Sequence, residues 1–247
     1  MKNKLIIGAP FGNYLGHKDC ISTRGTFTAA RRGGRLYRLW RVIRTVRYYH
    51  RIGAWVNRLG LPNPGIGSIG YPVHNSILSV SARCNPDWHY VLRQSVAHHP
   101  LAVELNVSCP NCGDEDYTDY GEMFDYARSI EENGGPRIIV KLPPVNYDER
   151  LASALFAGLT GFHCCNTLPT PGGGLSGKPL QPLSLDLCCV VRYSLPDDGI
   201  LIGGGGVTSV DDVRRFRNVG CTNVSIASAL FFPWVWRRIP AMVEAFT

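Results

Sequence analysis

The sequence predicts an α/β protein, a single-domain (β/α)8 TIM barrel, on three observations. Eight short apolar runs recur along the chain. Most are separated by stretches with helical periodicity. Polar or glycine-rich motifs follow the later runs, where a barrel carries its site. A length of 247 residues suits one such domain, and an apolar content of 45% is enough to fill its core.

The runs cover residues 5–9, 21–26, 77–81, 102–106, 138–142, 161–166, 200–204 and 223–227. Single runs of this length do not separate strand from helix by periodicity, so order and spacing carry the assignment. Between them, Trp88, Val91, Leu92 and Val96 form a stripe behind Pro86-Asp87, a helix start. Met123, Phe124, Ala127 and Ile130 form the next. Leu151, Ala154 and Leu155 follow Asp148-Glu149, and Leu185, Cys188 and Arg192 follow Ser184. Val210, Val213 and Phe216 follow Thr208-Ser209, and Asp211 and Asp212 suit the positive end of a helix dipole. Residues 234–246 read as one closing helix. The first two runs are only about a dozen residues apart, so the first helix is trimmed. Runs two and three are about fifty apart and enclose a basic insertion at about 29–54.

Net charge is +7, and it is uneven: ten arginines and no acid lie between Arg24 and Arg58. Such an arm could meet nucleic acid, anionic lipid or an acidic partner; a solvated arginine-rich insertion is the favoured reading. No apolar stretch reaches the roughly 18 residues of a membrane-spanning helix. Nine cysteines include the Cys109-x-x-Cys112 pair, but no second pair at zinc spacing. A reducing, cytoplasmic setting without a metal fits best.

Four motifs carry the chemistry. Glu104-Leu105-Asn106-Val107-Ser108-Cys109-Pro110-Asn111 ends the fourth run with two amides, a hydroxyl and a thiol. An amide matches the donor–acceptor edge of a pyrimidine, and a thiol titrates close enough to neutrality to act as a base once tuned. The plain alternative is a turn built by Asn, Ser and Pro. Ile139-Val140-Lys141-Leu142 ends the fifth run, and a lysine there is costly to desolvate unless an anion or a hydrogen bond meets it. Cys164-Cys165-Asn166-Thr167 ends the sixth, and Gly172 to Gly177 then reads as a glycine-rich loop. Gly203-Gly204-Gly205-Gly206-Val207-Thr208-Ser209 ends the seventh and opens a helix, and Ala227-Ser228 ends the eighth. Loops after strands seven and eight of such barrels often hold a phosphate.

At these residues, together with Trp55 to Asn63, Val140 to Pro144 and Gly173 to Leu180, the chain resembles the dihydroorotate dehydrogenase family. The segments occur in family order from Trp55 to Ser228, and their specificity lies in the set. The resemblance implies FMN at the C-terminal mouth and the FMN-dependent oxidation of dihydroorotate to orotate in pyrimidine biosynthesis. Lys141 would contact the flavin ring. Gly25, Thr26 and Asn106 would approach the flavin, and Gly174, Gly205, Gly206, Ala227 and Ser228 would cradle its phosphate arm. Asn57, Asn106, Asn111 and Asn166 would hold the pyrimidine, with Gly60 and Leu61 giving backbone N–H groups and Thr167 assisting. Cys109 would be the base that takes the C5 proton while C6 passes hydride to flavin N5.

A cysteine base and the lack of a membrane-docking N-terminal extension match the soluble class, whereas the Gly173–Leu180 string resembles the membrane-bound one. The electron acceptor and the oligomeric state are thus open, a homodimer among the options. The family carries a lysine after the first strand, and Asn13 stands there in this chain. That departure leaves two other readings in play. One is a related flavin barrel acting on another dihydropyrimidine or on tRNA dihydrouridine, with the arm on RNA. The other is a degenerate, non-catalytic barrel.

Overall fold

Every one of the eight apolar runs becomes a strand of one closed parallel barrel in the computed structural model, which describes residues 1, 3–107 and 117–246. The chain runs β1 (Leu5–Ile7), β2 (Cys20–Phe27), α1 (Arg35–Thr45), β3 (Arg47–Tyr49), β4 (Ala54–Asn57), β5 (Ser76–Val80), α2 (Asn85–Ala97), β6 (Ala102–Asn106), α3 (Tyr120–Glu132) and β7 (Arg137–Leu142). It continues with α4 (Asp148–Phe156), β8 (Gly161–Cys164), β9 (Leu168–Thr170), β10 (Gly173–Gly177), α5 (Gln181–Ser194), β11 (Ile200–Gly204), α6 (Val210–Asn218), β12 (Asn223–Ile226), α7 (Pro233–Trp236) and α8 (Ile239–Glu244). The barrel closes in the order β1-β12-β11-β8-β7-β6-β5-β2. The trimmed first crossover is a single 3-10 turn, Phe11–Asn13.

Alternation along the strands sorts their side chains into two cores. Ile6, Ile21, Ile77, Ala102, Ile139, Ile200 and Ile202 form one buried cluster drawn from six strands and no helix, the filling of the barrel itself. The neighbouring positions, such as Leu5, Leu78, Val103, Val140 and Leu201, point outward and pack against helix residues including Trp88, Phe124, Leu151, Val191 and Phe216. One step further along the strands, polar side chains enter the interior: Ser79 on β5, Glu104 on β6, Lys141 on β7 and His163 on β8. The register sets Ser79 opposite Glu104 and Lys141 opposite His163. Apolar filling thus gives way to a polar floor towards the C-terminal ends.

The long insertion builds a second sheet, antiparallel and ordered β3-β4-β10-β9. Ser176 pairs with Trp55 and Gly174 with Asn57. The glycine-rich stretch read as a loop is therefore a strand. Glycine is weak in strands on its own, and pairing with β4 overrides that preference. The basic arm is folded into α1 and β3, and its arginines are used: Arg38 donates to Pro62 O and Tyr14, and Arg41 to Leu59 O and Arg58 O.

Two helix boundaries also differ from expectation. The fifth helix starts at Gln181, with Pro182 in its first turn, rather than after Ser184. The Ser184 hydroxyl instead bonds the carbonyls of Cys164 and Gly204 at the strand ends. The closing segment is two short helices, α7 and α8, because Pro240 suits a helix start and not its interior.

Close strand packing leaves a testable mark at Gly161. A Cβ there would run into the Ile138 carbonyl oxygen, main chain that the β7–β8 pairing holds in place. Gly161→Ala is expected to destabilise the protein by about 1–3 kcal/mol in chemical denaturation. An unchanged midpoint would mean that these strands have more room than described.

Candidate active site

A cavity of about 920 Å³, its open mouth included, lies at the C-terminal end of the barrel. Its floor comes from the barrel strands through Lys141, His163, Ser225 and Gly204. One side is the second sheet, through Trp55, Asn57 and Ser176. The far end is formed by Gly205, Gly206, Ala227 and Ser228.

The floor is organised by Glu104, which is fully buried. Its carboxylate accepts Ser79 Oγ at 2.7 Å and His163 Nδ1 at 2.7 Å, and Lys141 Nζ lies 3.6 Å away. Burial alone would push the Glu104 carboxyl up. The Lys141 ammonium, then His163 and Ser79, outweigh burial and hold it down at about 2. Burial keeps His163 below the usual imidazole range in spite of Glu104. The ring is therefore neutral, gives its Nδ1–H to the carboxylate and keeps Nε2 as an acceptor.

From the same carboxylate a directed hydrogen-bond chain leads to the predicted amides. Ser79 spends its proton on Glu104, so Thr26 Oγ1 must donate to Ser79 Oγ, at 2.9 Å. Asn106 Nδ2 donates to Thr26 Oγ1 at 3.2 Å, and Asn166 Nδ2 donates to Asn106 Oδ1 at 2.7 Å. Thr167 N holds Asn166 Oδ1 at 2.9 Å. The second sheet orients a third amide: Asn57 Nδ2 donates to Gly174 O at 3.3 Å.

The far end is a glycine cradle braced by one aspartate. Gly205 and Gly206 have φ of +108° and +73°, and a Cβ on Gly206 would come within 2.7 Å of Gly177 O. Glycine alone adopts such angles freely, and at Gly206 a side chain would run into the main chain that follows β10. Asp212, in the first turn of α6, accepts Lys178 Nζ at 2.7 Å, Gln181 Nε2 at 3.0 Å and the N–H groups of Thr208 and Ser209 at 2.9 and 3.0 Å. Burial would raise this carboxyl, but Lys178, Gln181 and the Thr208 and Ser209 donors hold it well below the usual range. Ser209 and Asp212 form a capping box, so the loop and the start of α6 are set together.

Of the residues singled out from the sequence, Lys141, Asn57, Asn166, Thr167, Gly205, Gly206, Ala227 and Ser228 border this one cavity. Asn106 and Thr26 lie beneath it in the hydrogen-bond chain. Gly174 lies in β10, and its carbonyl holds Asn57 in place; Ser176 of the same strand borders the cavity. Gly60 and Leu61 form a turn with φ of +72° and +53°, beside the cavity-lining Leu59. Gly25 is bound on both backbone groups by the Asn13 amide, Nδ2 to O at 2.6 Å and N to Oδ1 at 2.9 Å. Cys109 and Asn111 lie outside the described residues.

Glu104, His163 and Ser79 were not picked out as site residues. A charged and an imidazole side chain inside apolar strands are the signal that could have found them. Cys165 also borders the cavity, and its thiol is pushed up to about 12 by burial, against a bond from Ser184, which leaves it protonated at neutrality. No cluster of metal ligands occurs among the described residues.

A cavity at the C-terminal mouth, with a glycine cradle after the seventh and eighth barrel strands, has the place and form of a (β/α)8 barrel's site. The family model for dihydroorotate dehydrogenase matches residues 25–245, and the chain belongs to that family. It is 31% identical over 207 residues to the catalytic subunit of dihydroorotate dehydrogenase B (NAD(+)) of Enterococcus faecalis. That match covers 71% of this chain and 65% of the relative, so the chain spans about two thirds of that protein's length. It is 30% identical over 210 residues to dihydroorotate dehydrogenase A (fumarate) of Lactiplantibacillus plantarum, covering 72% and 67% respectively. The ligand-free DHODH structure of Eimeria tenella shares the fold, with a TM-score of 0.72 at 17% identity over 97% of this chain and 82% of that one.

The Glu104 knot sets an acid dependence. A carboxyl lowered from 4.5 to about 2 contributes stability that is fully present above its unfolded value and is lost as pH falls from about 4.5 towards 2. Glu104→Gln removes the buried charge that Lys141, His163 and Ser79 meet, so a loss of about 3–5 kcal/mol is expected at pH 7. The gap to the parent should narrow across that acid window in denaturation measured at several pH values. A gap that stayed constant with pH would contradict the assignment.

Proposed function

We propose that this chain is an FMN-dependent oxidoreductase that converts dihydroorotate to orotate, with residues 1–247 forming one flavin-binding domain. One observation carries this reading. Lys141, three ordered amides or hydroxyls (Asn57, Asn166, Thr167) and the Gly205-Gly206 cradle all border one cavity in a member of the dihydroorotate dehydrogenase family. These residues fit FMN: small residues after the seventh and eighth barrel strands, Gly205, Gly206, Ala227 and Ser228, line the cavity where a phosphate would sit, and Lys141 borders the floor where a ring would lie.

In the proposed reaction Asn57 and Asn166 hold the pyrimidine edge, each already oriented by a bond from the protein side. Lys141 is fixed by Glu104 and presents its ammonium to the ring system. Cys109 takes the C5 proton. Cys165 is no substitute for it, since burial keeps that thiol protonated. When bound, FMN supplies at N5 the acceptor for the hydride that leaves C6. The seven described cysteines are all free, in keeping with a reducing compartment such as the cytoplasm.

Anaerobic bleaching of the flavin by dihydroorotate in the FMN-loaded protein tests the reading. The parent should bleach, and Cys109→Ala should do so slower by a factor on the order of 10²–10⁴, the usual cost of losing a general base. Asn166→Ala should weaken substrate binding more than it slows hydride transfer. A protein that takes up no FMN, or a Cys109→Ala variant as fast as the parent, would sink the proposal.

A further inference from the structure

Helix α1 is amphipathic in the reverse sense. Leu36, Leu39, Trp40 and Ile43 follow one another at the three- and four-residue steps that align side chains on one helix face. In a soluble protein that face points into the core. Here it points outward: Leu36 is 84% exposed, Ile43 67%, Leu39 57% and Trp40 50%. The arginines on the opposite face turn inward, where Arg38 and Arg41 bond the carbonyls of residues 58 to 62. The tethers show that this orientation is held and is not a rotation left free.

Beside the apolar face lie exposed Arg44, over the Trp40 ring, Arg47, bonded to the Ile43 carbonyl, and the Tyr37 ring next to Trp40. No acidic residue occurs anywhere from Arg24 to Arg58. Exposed aliphatic side chains want a hydrocarbon environment, and the surrounding cations want an anion. A second copy of the chain would set one arginine-rich face against another. A nucleic acid would satisfy the cations but leave Leu36, Leu39 and Ile43 in water, since bases stack on rings and not on aliphatic chains. An anionic bilayer surface satisfies both, with Tyr and Trp at the headgroup level.

We propose that α1 docks this protein peripherally on membranes containing anionic phospholipid. No helix among the described residues is long and apolar enough to span one. Docking would set the cavity beside the lipid surface, because Val46, the residue that ends α1, and Leu59, which Arg41 bonds, both border it. The proposal does not depend on which reaction the cavity performs.

Co-sedimentation of the full chain with vesicles tests it. Binding is expected to phosphatidylcholine vesicles containing phosphatidylserine, to weaken steeply with salt, and to be slight on phosphatidylcholine alone. The triple variant L36E/L39E/I43E should lose more than about tenfold in partitioning, since both hydrocarbon insertion and charge attraction are removed. Its side chains are exposed, so its denaturation midpoint should match the parent's, which separates lost docking from lost folding. Arg44→Glu with Arg47→Glu should remove the preference for phosphatidylserine. The proposal is overturned if the parent does not sediment with anionic vesicles at low salt, or if the triple variant sediments equally well. It is also overturned if the substitutions abolish a dimer or an RNA complex while leaving vesicle binding intact.

Discussion

One buried negative charge organises the site. Glu104 sits where the apolar filling of the barrel ends, and three other strands contribute to its surroundings. An isolated carboxylate at that depth would be prohibitively costly. It is tolerated because every neighbouring group gives it a proton or a positive charge. That arrangement propagates: Ser79, having donated to the carboxylate, must accept from Thr26, and the same sense is handed on to Asn106 and Asn166. The Asn106 amide therefore takes its orientation from that charge, and Asn166 joins the same series. A neutral group in place of Glu104 would leave the Ser79 and Thr26 hydroxyls free to reverse.

Most of the fold was legible in the sequence, because a parallel barrel buries its strands on both faces and writes them as short apolar runs, most of them separated by helical stretches. All eight were found in order, and Lys141, Asn166 and the Gly205-Gly206 pair fell where the ends of those runs placed them. What escaped notice depends on partners distant in the chain. Gly173–Gly177 has the composition of a loop and becomes a strand by pairing with β9 beside it and with β4, more than a hundred residues earlier. Ser184 looks like a helix cap and serves instead to tie strand ends. Glu104 and His163 look like blemishes in apolar runs until the register sets them side by side with Lys141. The inverted face of α1 was hidden for the same reason: periodicity says that a helix has an apolar side, but not which way it is turned.

The departure at Asn13 also finds a structural use. The trimmed first crossover brings this amide against Gly25, where it pairs with both backbone groups as a neighbouring strand would. Gly25 has φ of +119°, a conformation in which β2 is irregular beside β5, and the register does shift between Arg24 and Phe27. Asn13 thus occupies backbone groups that the sheet leaves unpaired, a task for a short amide and not for a long cationic chain. The positive charge bordering the floor of the cavity is contributed by Lys141.

The bracing of the glycine cradle by Asp212 has a dynamic consequence. Lys178 and Gln181 follow β10, while Thr208 and Ser209 follow β11, and one carboxylate binds all four. Neither loop can open without breaking bonds that belong to the other. Their amide protons should consequently exchange with solvent as a single cooperative unit, joined to the start of α6, and not as two independently fraying segments.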